Sequence, residues 1–326
     1  IVKIDKASEP KLIESVDAII IGGGPLMESS RMYNLFNCFL EGRKQNKQNI
    51  IFGCGLGPIH SKKIETVTRK ILMLTSAGFV RDRESYLLAS QLFSKHNLKV
   101  ACDPAFAYIR RWRLHNIVNR NIKPKENKIG LLLRENTREF RNSLSDMDLE
   151  SMNENFALGV SKLISSNLRN FKNSIELLYM NAPWIGGDDR LFNRKLIKNI
   201  DLNDNVRIYR DYYTLDQQIE NISDMTVTIA MRYHGHIFSI ALGIPFVSID
   251  YTGKNGKVSS LLNRIDYTNR SYLWEQIVTF NELEKIETID GQKDKISKKL
   301  LLETDRLVSK LYRTYETVFN VNLDQN

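Results

Sequence analysis

Cysteine is scarce in this chain: Cys38, Cys54 and Cys102 are the only three in 326 residues. They are odd in number, widely spaced and form no CxxC, which argues against a disulfide framework and a zinc ribbon. A reducing cytoplasm is the simplest home for such a chain. Seven prolines and 17 glycines are too few for a fibrous or disordered protein. No apolar run approaches the roughly 18–20 residues a membrane span requires. The opening IVKIDKASEP lacks the basic region and apolar block of a signal peptide, so a soluble protein is expected. It begins at Ile1 rather than methionine, as a processed product or a fragment would. A Walker loop is missing because no G-K-[ST] occurs. The dinucleotide spacing G-x-G-x-x-G fails too, since Pro25 and Pro58 interrupt the two glycine-rich turns. No repeat of about 20–50 residues is evident.

What is present is an ordinary globular composition, 42% apolar and 26% charged, long enough for two domains. The net charge of +9 favours anionic partners without selecting one. The basic group from Lys293 to Lys310 is interleaved with Asp294, Glu303 and Asp305, which reads as a solvated helix face. No nucleic-acid partner is expected.

Short β-branched runs alternate with amphipathic stretches, the pattern of parallel strands and crossover helices. Four strands are read in the first half: Asp17 to Ile21, Asn49 to Phe52, Phe79-Val80 and Leu98 to Ala101. The segment from Phe106 to Lys128 is basic and irregular. Five more strands follow: Ile129 to Leu133, Ile175 to Met180, Val206 to Tyr209, Thr226 to Ala230 and Phe246 to Asp250. The fold class is therefore α/β, with two Rossmann-like open parallel-sheet domains facing a cleft. The expected boundaries are 1–115 for the N-terminal domain, 116–127 for a linker, 128–280 for the C-terminal domain and 281–326 for terminal helices. Such sheets bind ligands at the carboxyl ends of their strands.

The residues just past each strand are the candidates. Gly22-Gly23-Gly24-Pro25 and Gly53-Cys54-Gly55-Leu56-Gly57-Pro58 permit close backbone approach to a phosphate or sugar, with Gly23, Gly24 and Gly55 central. Arg81 follows the third strand, and Asp82 beside it is a natural helix N-cap. The densest group is TVTIAMRYHGHIFSIALGIPFVSIDY from Thr226. There a strand ends at Ala230 and a helix runs from about His234 to Leu242, stopped by Gly243. Arg232 and His234 sit where free N–H groups favour an anion. The imidazole can exchange protons while the guanidinium grips a carboxylate or phosphate. Arg134, Tyr251, Lys254 and Lys257 lie on the same edge, and either lysine would close over an anionic substrate. Asp188-Asp189 reads most simply as a helix cap. His234 and His236 point roughly 200° apart on a helix, so no metal site is expected. His60 adjoins the second glycine turn, while His96 and His115 read as surface residues.

These motifs resemble the polysaccharide pyruvyl transferase family. The likeness rests on DAIIIGGGPL from Asp17, GCGLGP from Gly53, VRDRES from Val80, DPAF from Asp103 and MRYHGHIFSIALGIPFVSIDYTGK from Met231. It implies a GT-B-like fold and transfer of a pyruvyl group from phosphoenolpyruvate to a sugar, as a ketal, in cell-envelope or exopolysaccharide synthesis. It also places the essential histidine at His234, with Arg232, Arg134 and Lys254 or Lys257 neutralising the carboxylate and the departing phosphate. No metal or organic cofactor is implied; phosphoenolpyruvate is a co-substrate. The implied acceptor is a sugar, lipid-linked or polymeric, on the side of the N-terminal domain, with peripheral contact at the inner membrane surface in view. The sequence does not set the oligomeric state. In two respects the chain departs from the family. Cys54 stands where many members have glutamine, a change expected to alter acceptor contacts. The strand and glycine–asparagine–aspartate loop usual upstream of the glycine triplet have no counterpart, so the first domain is expected to lack its opening strand and helix. Rival readings are a GT-B-like glycosyltransferase using a nucleotide sugar and a catalytically silent sugar- or anion-binding protein.

Overall fold

The computed structural model describes residues 10–117, 127–137, 146–170, 174–181, 187–200, 205–253, 256–274 and 291–320. The chain divides into two compact units, residues 1–104 with 306–326 and residues 105–305.

The first unit begins with α1 (Pro10–Glu14), β1 (Ala18–Gly22) and β2 (Pro25–Leu26). It continues through α2 (Arg31–Lys44), β3 (Gln48–Leu56), α3 (Lys62–Leu74), β4 (Ala77–Val80), α4 (Arg83–Leu92) and β5 (Leu98–Val100). Its sheet runs β1-β3-β4-β5 and is parallel throughout. Strand order follows chain order, so right-handed crossovers set α2, α3 and α4 on one face. Their apolar stripes close over that face: Met32 and Phe39 from α2, Ile64, Val67 and Ile71 from α3, and Ala89 from α4 are all buried. Asn49, fully buried in β3, donates from Nδ2 to the carbonyls of Phe39 and Leu74. It thereby ties α2 and the end of α3 to the sheet at groups that would otherwise be buried without partners.

Both β1 and β2 pair with β3. The first matches Gln48 to Phe52 and the second takes over at Gly55 and Leu56. The glycine triplet is the kink between these two short strands, and the second glycine run is largely inside β3.

The second unit opens on α5 (Ala105–Ile117) and β6 (Lys128–Leu132), followed by α6 (Asp146–Asn170), β7 (Ser174–Leu177), α7 (Asp189–Ile197), β8 (Val206–Ile208) and α8 (Leu215–Ser223). Next come β9 (Val227–Ala230), α9 (Tyr233–Leu242), β10 (Phe246–Asp250) and α10 (Lys257–Arg264). A 3-10 turn at Thr268–Arg270, then β11 (Ser271–Leu273) and α11 (Lys293–Phe319), complete the order. All pairs are parallel in the order β11-β10-β9-β6-β7-β8. The chain moves outward from β6 to β8 and then returns to the other side of β6 as β9. That reversal is a topological switch, and it leaves a crevice past the carboxyl ends of β6 and β9.

Helix α5 lies in the stretch expected to be irregular. Its buried positions are Phe106, Ile109 and Arg113, at i, i+3 and i+7, so the helical stripe is completed by an arginine and is invisible to an apolar count. It belongs to the second unit, whereas the sequence places residues 105–115 in the N-terminal domain and the rest of the helix in the linker. The expected linker, 116–127, falls largely on residues 118–126, outside the described residues, as do residues 281–290 and 321–326 of the expected terminal helices. Described strands number five and six rather than four and five, because β2 and β11 are too short to carry a period.

The last helix, α11, contributes to both units. Ile296, Leu300 and Thr304 are buried within the second, where the Thr304 hydroxyl donates to the carbonyl of Ile240. Leu307, Val308 and Leu311 are buried within the first, where the Cys102 thiol donates to the Leu307 carbonyl and Tyr315 meets Phe52 edge-on at 6.2 Å.

Candidate active site

The motif after β9 is built around a short, fully buried strand followed by a helix with strong punctuation. Gly243 ends α9 in the left-handed conformation, φ 70°, which an L residue adopts only with strain. Arg232 is the N-cap, with extended backbone and no side-chain cap. Backbone N–H groups of Met231 and Arg232 both donate to the carbonyl of Leu132, the last residue of β6. The start of α9 is therefore pinned to the switch point, and His234 is exposed in its first turn.

Arg232 and His236 behave differently from His234. The Arg232 guanidinium is buried against Asp189, donating from Nε to both carboxylate oxygens at 3.0 and 3.1 Å and from Nη2 to Oδ1. Asp189, only 2% exposed, also accepts the backbone N–H groups of Met180 and Asn181. Its neighbour Asp188 caps α7 as the sequence suggests. Asp189 itself is instead the counter-ion of Arg232, 43 residues away, a role that capping chemistry hides. The anion-gripping part expected of Arg232 is thus largely taken up inside the protein.

His236 is fully buried. Nδ1 lies 2.8 Å from the Arg232 carbonyl and Nε2 lies 2.8 Å from the Ser248 hydroxyl. A carbonyl can only accept, so Nδ1 carries the proton and Nε2 accepts from Ser248. Both ring nitrogens are engaged in positioning α9. Burial pushes the His236 pKa down to about 4, below the ordinary value near 6.5. Between these values the unfolded chain binds a proton that the native protein does not. Stability is therefore full above pH 6.5 and falls as the pH drops toward 4, by up to about 3 kcal/mol. Urea midpoints measured across this window are expected to decline more steeply for the native chain than for His236→Asn.

Three other candidates do meet. Arg134, two residues past β6, is fixed by donation from Nε to the Glu135 carbonyl at 2.7 Å and from Nη2 to the Thr137 hydroxyl at 3.2 Å. Its guanidinium stands 5.2 Å from the Tyr251 ring, and the Lys257 ammonium stands 5.6 Å from the same ring and 5.8 Å from Tyr233. Tyr251 is 1% exposed, so it serves as a buried aromatic spacer between two cations rather than as a wall for substrate. Asp250 shapes the turn that brings Lys257 in, accepting from the Thr252 N–H and hydroxyl at 2.8 and 2.6 Å. Lys254 lies outside the described residues.

In the first unit, Gly23 and Gly24 face open space, with Gly23 at φ 76°. Gly55 does not. It is buried within β3, and a Cβ there would stand 2.6 Å from the Arg81 guanidinium. Arg81, also expected to touch substrate, is buried beneath this strand and pairs with Asp82 and Asp103 at 3.3 and 3.4 Å. It supports the glycine run from below. Cys54 is fully buried, its thiol directed at the Ile21 carbonyl and its pKa pushed up to about 12 by desolvation, so it neither reacts nor contacts an acceptor. Glu28, which the sequence did not single out, ties the two glycine segments together. Its carboxylate accepts from the His60 and Ser61 N–H groups and the Ser61 hydroxyl, which hold it below the usual carboxylate range. His60 thus contributes its backbone to this tie. His96 is half-buried rather than on the surface, edge-on to Tyr86 and bonded to Ser90.

Comparison with known proteins adds the wider frame. No curated protein matches the sequence. The fold is shared with an alpha,alpha-trehalose-phosphate synthase (UDP-forming) from Burkholderia vietnamiensis, at TM-score 0.58 and 8% identity over 98% of this chain and 79% of that one. Anabaena Alr3699/HepE in complex with UDP gives 0.55 and 10% over 98% and 82%. A putative UDP-N-acetylglucosamine 2-epimerase from Listeria monocytogenes gives 0.59 and 10% over 96% and 78%. Likeness to solved structures at this distance shows the fold alone, which is GT-B-like with two Rossmann-like sheets, as the sequence implies. Polysaccharide pyruvyl transferase is the family that matches, over residues 2–253, a span that contains the glycine segments, Arg134, Asp189 and the whole of α9. This chain belongs to the polysaccharide pyruvyl transferase family.

Proposed function

We propose that the chain transfers a pyruvyl group from phosphoenolpyruvate to a sugar, forming a ketal across two hydroxyls in cell-envelope or exopolysaccharide synthesis. The observation that carries this reading is the exposed His234 at the switch point of the second sheet, on the same edge as Arg134 and Lys257. In this reaction the vinyl carbon of the donor takes a proton and the neighbouring carbon is attacked by one sugar hydroxyl. Phosphate departs, and the second hydroxyl closes the ketal. One hydroxyl proton replaces the one delivered to the methyl carbon and the other leaves with phosphate, so protons balance. His234 supplies and recovers the transferred proton. Arg134 and Lys257 neutralise the donor carboxylate and the phosphate as charge builds on its bridging oxygen. Arg232, held by Asp189, positions the first turn of α9. The donor carries its own leaving group, so the reaction calls for no metal or organic cofactor. We assign the protein to the cytoplasm, which its three buried cysteine thiols support; no described helix is long and apolar enough to cross a membrane.

Phosphoenolpyruvate is expected to raise the melting temperature and UDP-sugars to leave it unchanged. Incubation with phosphoenolpyruvate and a panel of nucleotide-linked, lipid-linked and polymeric sugars should add one pyruvyl unit to an acceptor, read by mass spectrometry, with matching phosphate release. Protection by a nucleotide sugar instead would favour the glycosyltransferase reading. Binding without turnover on any acceptor would favour a silent binding protein.

A further inference from the structure

We propose that the outer face of α2 and α3 is a docking surface for an anionic lipid bilayer. The two helices lie side by side on the same face of the first sheet, and together they carry seven cations and two carboxylates. More than half of the chain's net charge of +9 is thus concentrated on two neighbouring helices. All seven cations, Arg31, Arg43, Lys44, Lys62, Lys63, Arg69 and Lys70, are exposed. The two carboxylates, Glu41 and Glu65, are already engaged with Lys44 and Lys62 at 3.1 and 2.9 Å.

Large apolar side chains stand between the charges of this face. Tyr33 and Leu40, seven residues apart on one stripe of α2, are 41% and 36% exposed, and Met73 on the exposed stripe of α3 is 58% exposed. Half-buried Phe36 lies between the helices with the Lys70 ammonium 5.4 Å from its ring. Cations interleaved with large apolar side chains on one surface suit the headgroup boundary of a bilayer, where the charges meet anionic lipid and the apolar groups leave water. A nucleic acid would satisfy the charges and leave Leu40 and Met73 in water. Because both helices follow parallel strands, their amino ends lie at the same edge as the open glycine turn, so docking would hold that turn near the membrane surface. The inference does not depend on the pyruvyl transfer reading.

Sedimentation with vesicles tests it directly. At about 0.1 M salt the full chain should bind vesicles containing about one-third phosphatidylglycerol at least tenfold more tightly than pure phosphatidylcholine, and about 1 M salt should weaken binding. The triple variant Arg43→Glu, Arg69→Glu, Lys70→Glu and the triple variant Tyr33→Ser, Leu40→Ser, Met73→Ser should each lose most of this preference. Retention by either variant, or tighter binding to a DNA duplex than to the vesicles, overturns the proposal. A nitroxide on Asn37→Cys provides a readout without disturbing either set, since the three native cysteines are buried. Its spectrum should broaden on the anionic vesicles, and an unchanged spectrum is the second overturning result.

Discussion

His234→Ala is expected to lower kcat for pyruvyl transfer by about 10²–10⁴-fold, the range that positioned proton transfer contributes. The side chain is exposed on the first turn of α9, outside the buried core, and meets the Tyr233 ring edge-on. The unfolding free energy from urea titration should stay within about 0.5 kcal/mol of the native value, as for other surface substitutions. KM for phosphoenolpyruvate should change little, because Arg134 and Lys257 remain in place. His234→Gln keeps a polar side chain of similar reach but cannot exchange a proton near neutrality, and it should be as inactive as alanine. A glutamine variant with substantial turnover would remove His234 from the proton path and return the residue to a binding role. Steady-state kinetics with one soluble acceptor are sufficient to separate these outcomes.

Asp189→Ala should be the most damaging single change in the second unit. It leaves the buried Arg232 guanidinium without its carboxylate and strips acceptors from the Met180 and Asn181 N–H groups. Breaking one half of a buried pair costs about 3–5 kcal/mol, a large share of a domain's stability. Asp189→Asn separates the two jobs. Its amide oxygen still serves the backbone N–H groups, while the charge is gone, so a smaller loss of about 1–3 kcal/mol is expected. The pair Asp189→Leu with Arg232→Met, which replaces both charges by apolar groups, should regain stability over Asp189→Ala. It should not regain activity, because the first turn of α9 loses its anchor beside His234. Urea unfolding and kcat on the same four proteins test both statements; recovery of both together would mean that Arg232 has no part in holding the site.

The sequence made His234 legible because local rules converge there. A buried strand, a glycine stop after Leu242 and Pro245 opening the next strand fix the helix within one residue, and strand-end position marks its first turn. The resemblance to the family drew on the same residues. Arg232 was legible as a position and misleading as a function. Its partner is on another helix, and nothing local distinguishes Asp189 as a counter-ion from Asp188 as a cap. Tyr251 and Arg81 both follow strands and so rank as candidate substrate contacts, whereas tertiary packing buries one between cations and the other under Gly55. Alternation of strand and helix reveals parallel pairing, but not the return of the chain to the far side of β6 on which the switch point depends. Phe106, Ile109 and Arg113 show the same limit: a helical period is visible only when every buried position is apolar.

The discontinuous make-up of the first unit bears on how the protein is made. Residues 105–305 form the second unit without interruption, whereas the first unit needs the far end of α11 to finish burying Cys102 and to meet Phe52. At a synthesis rate of about 5–20 residues per second, the sheet ending at β5 waits roughly 10–40 s for that segment. Throughout this interval the second unit is itself still being made, since its own share of α11, through Thr304, precedes Leu307 by only three residues, and the Cys102 thiol is still unshielded. A nascent chain pulsed with a thiol reagent would be labelled at a site that the finished protein closes.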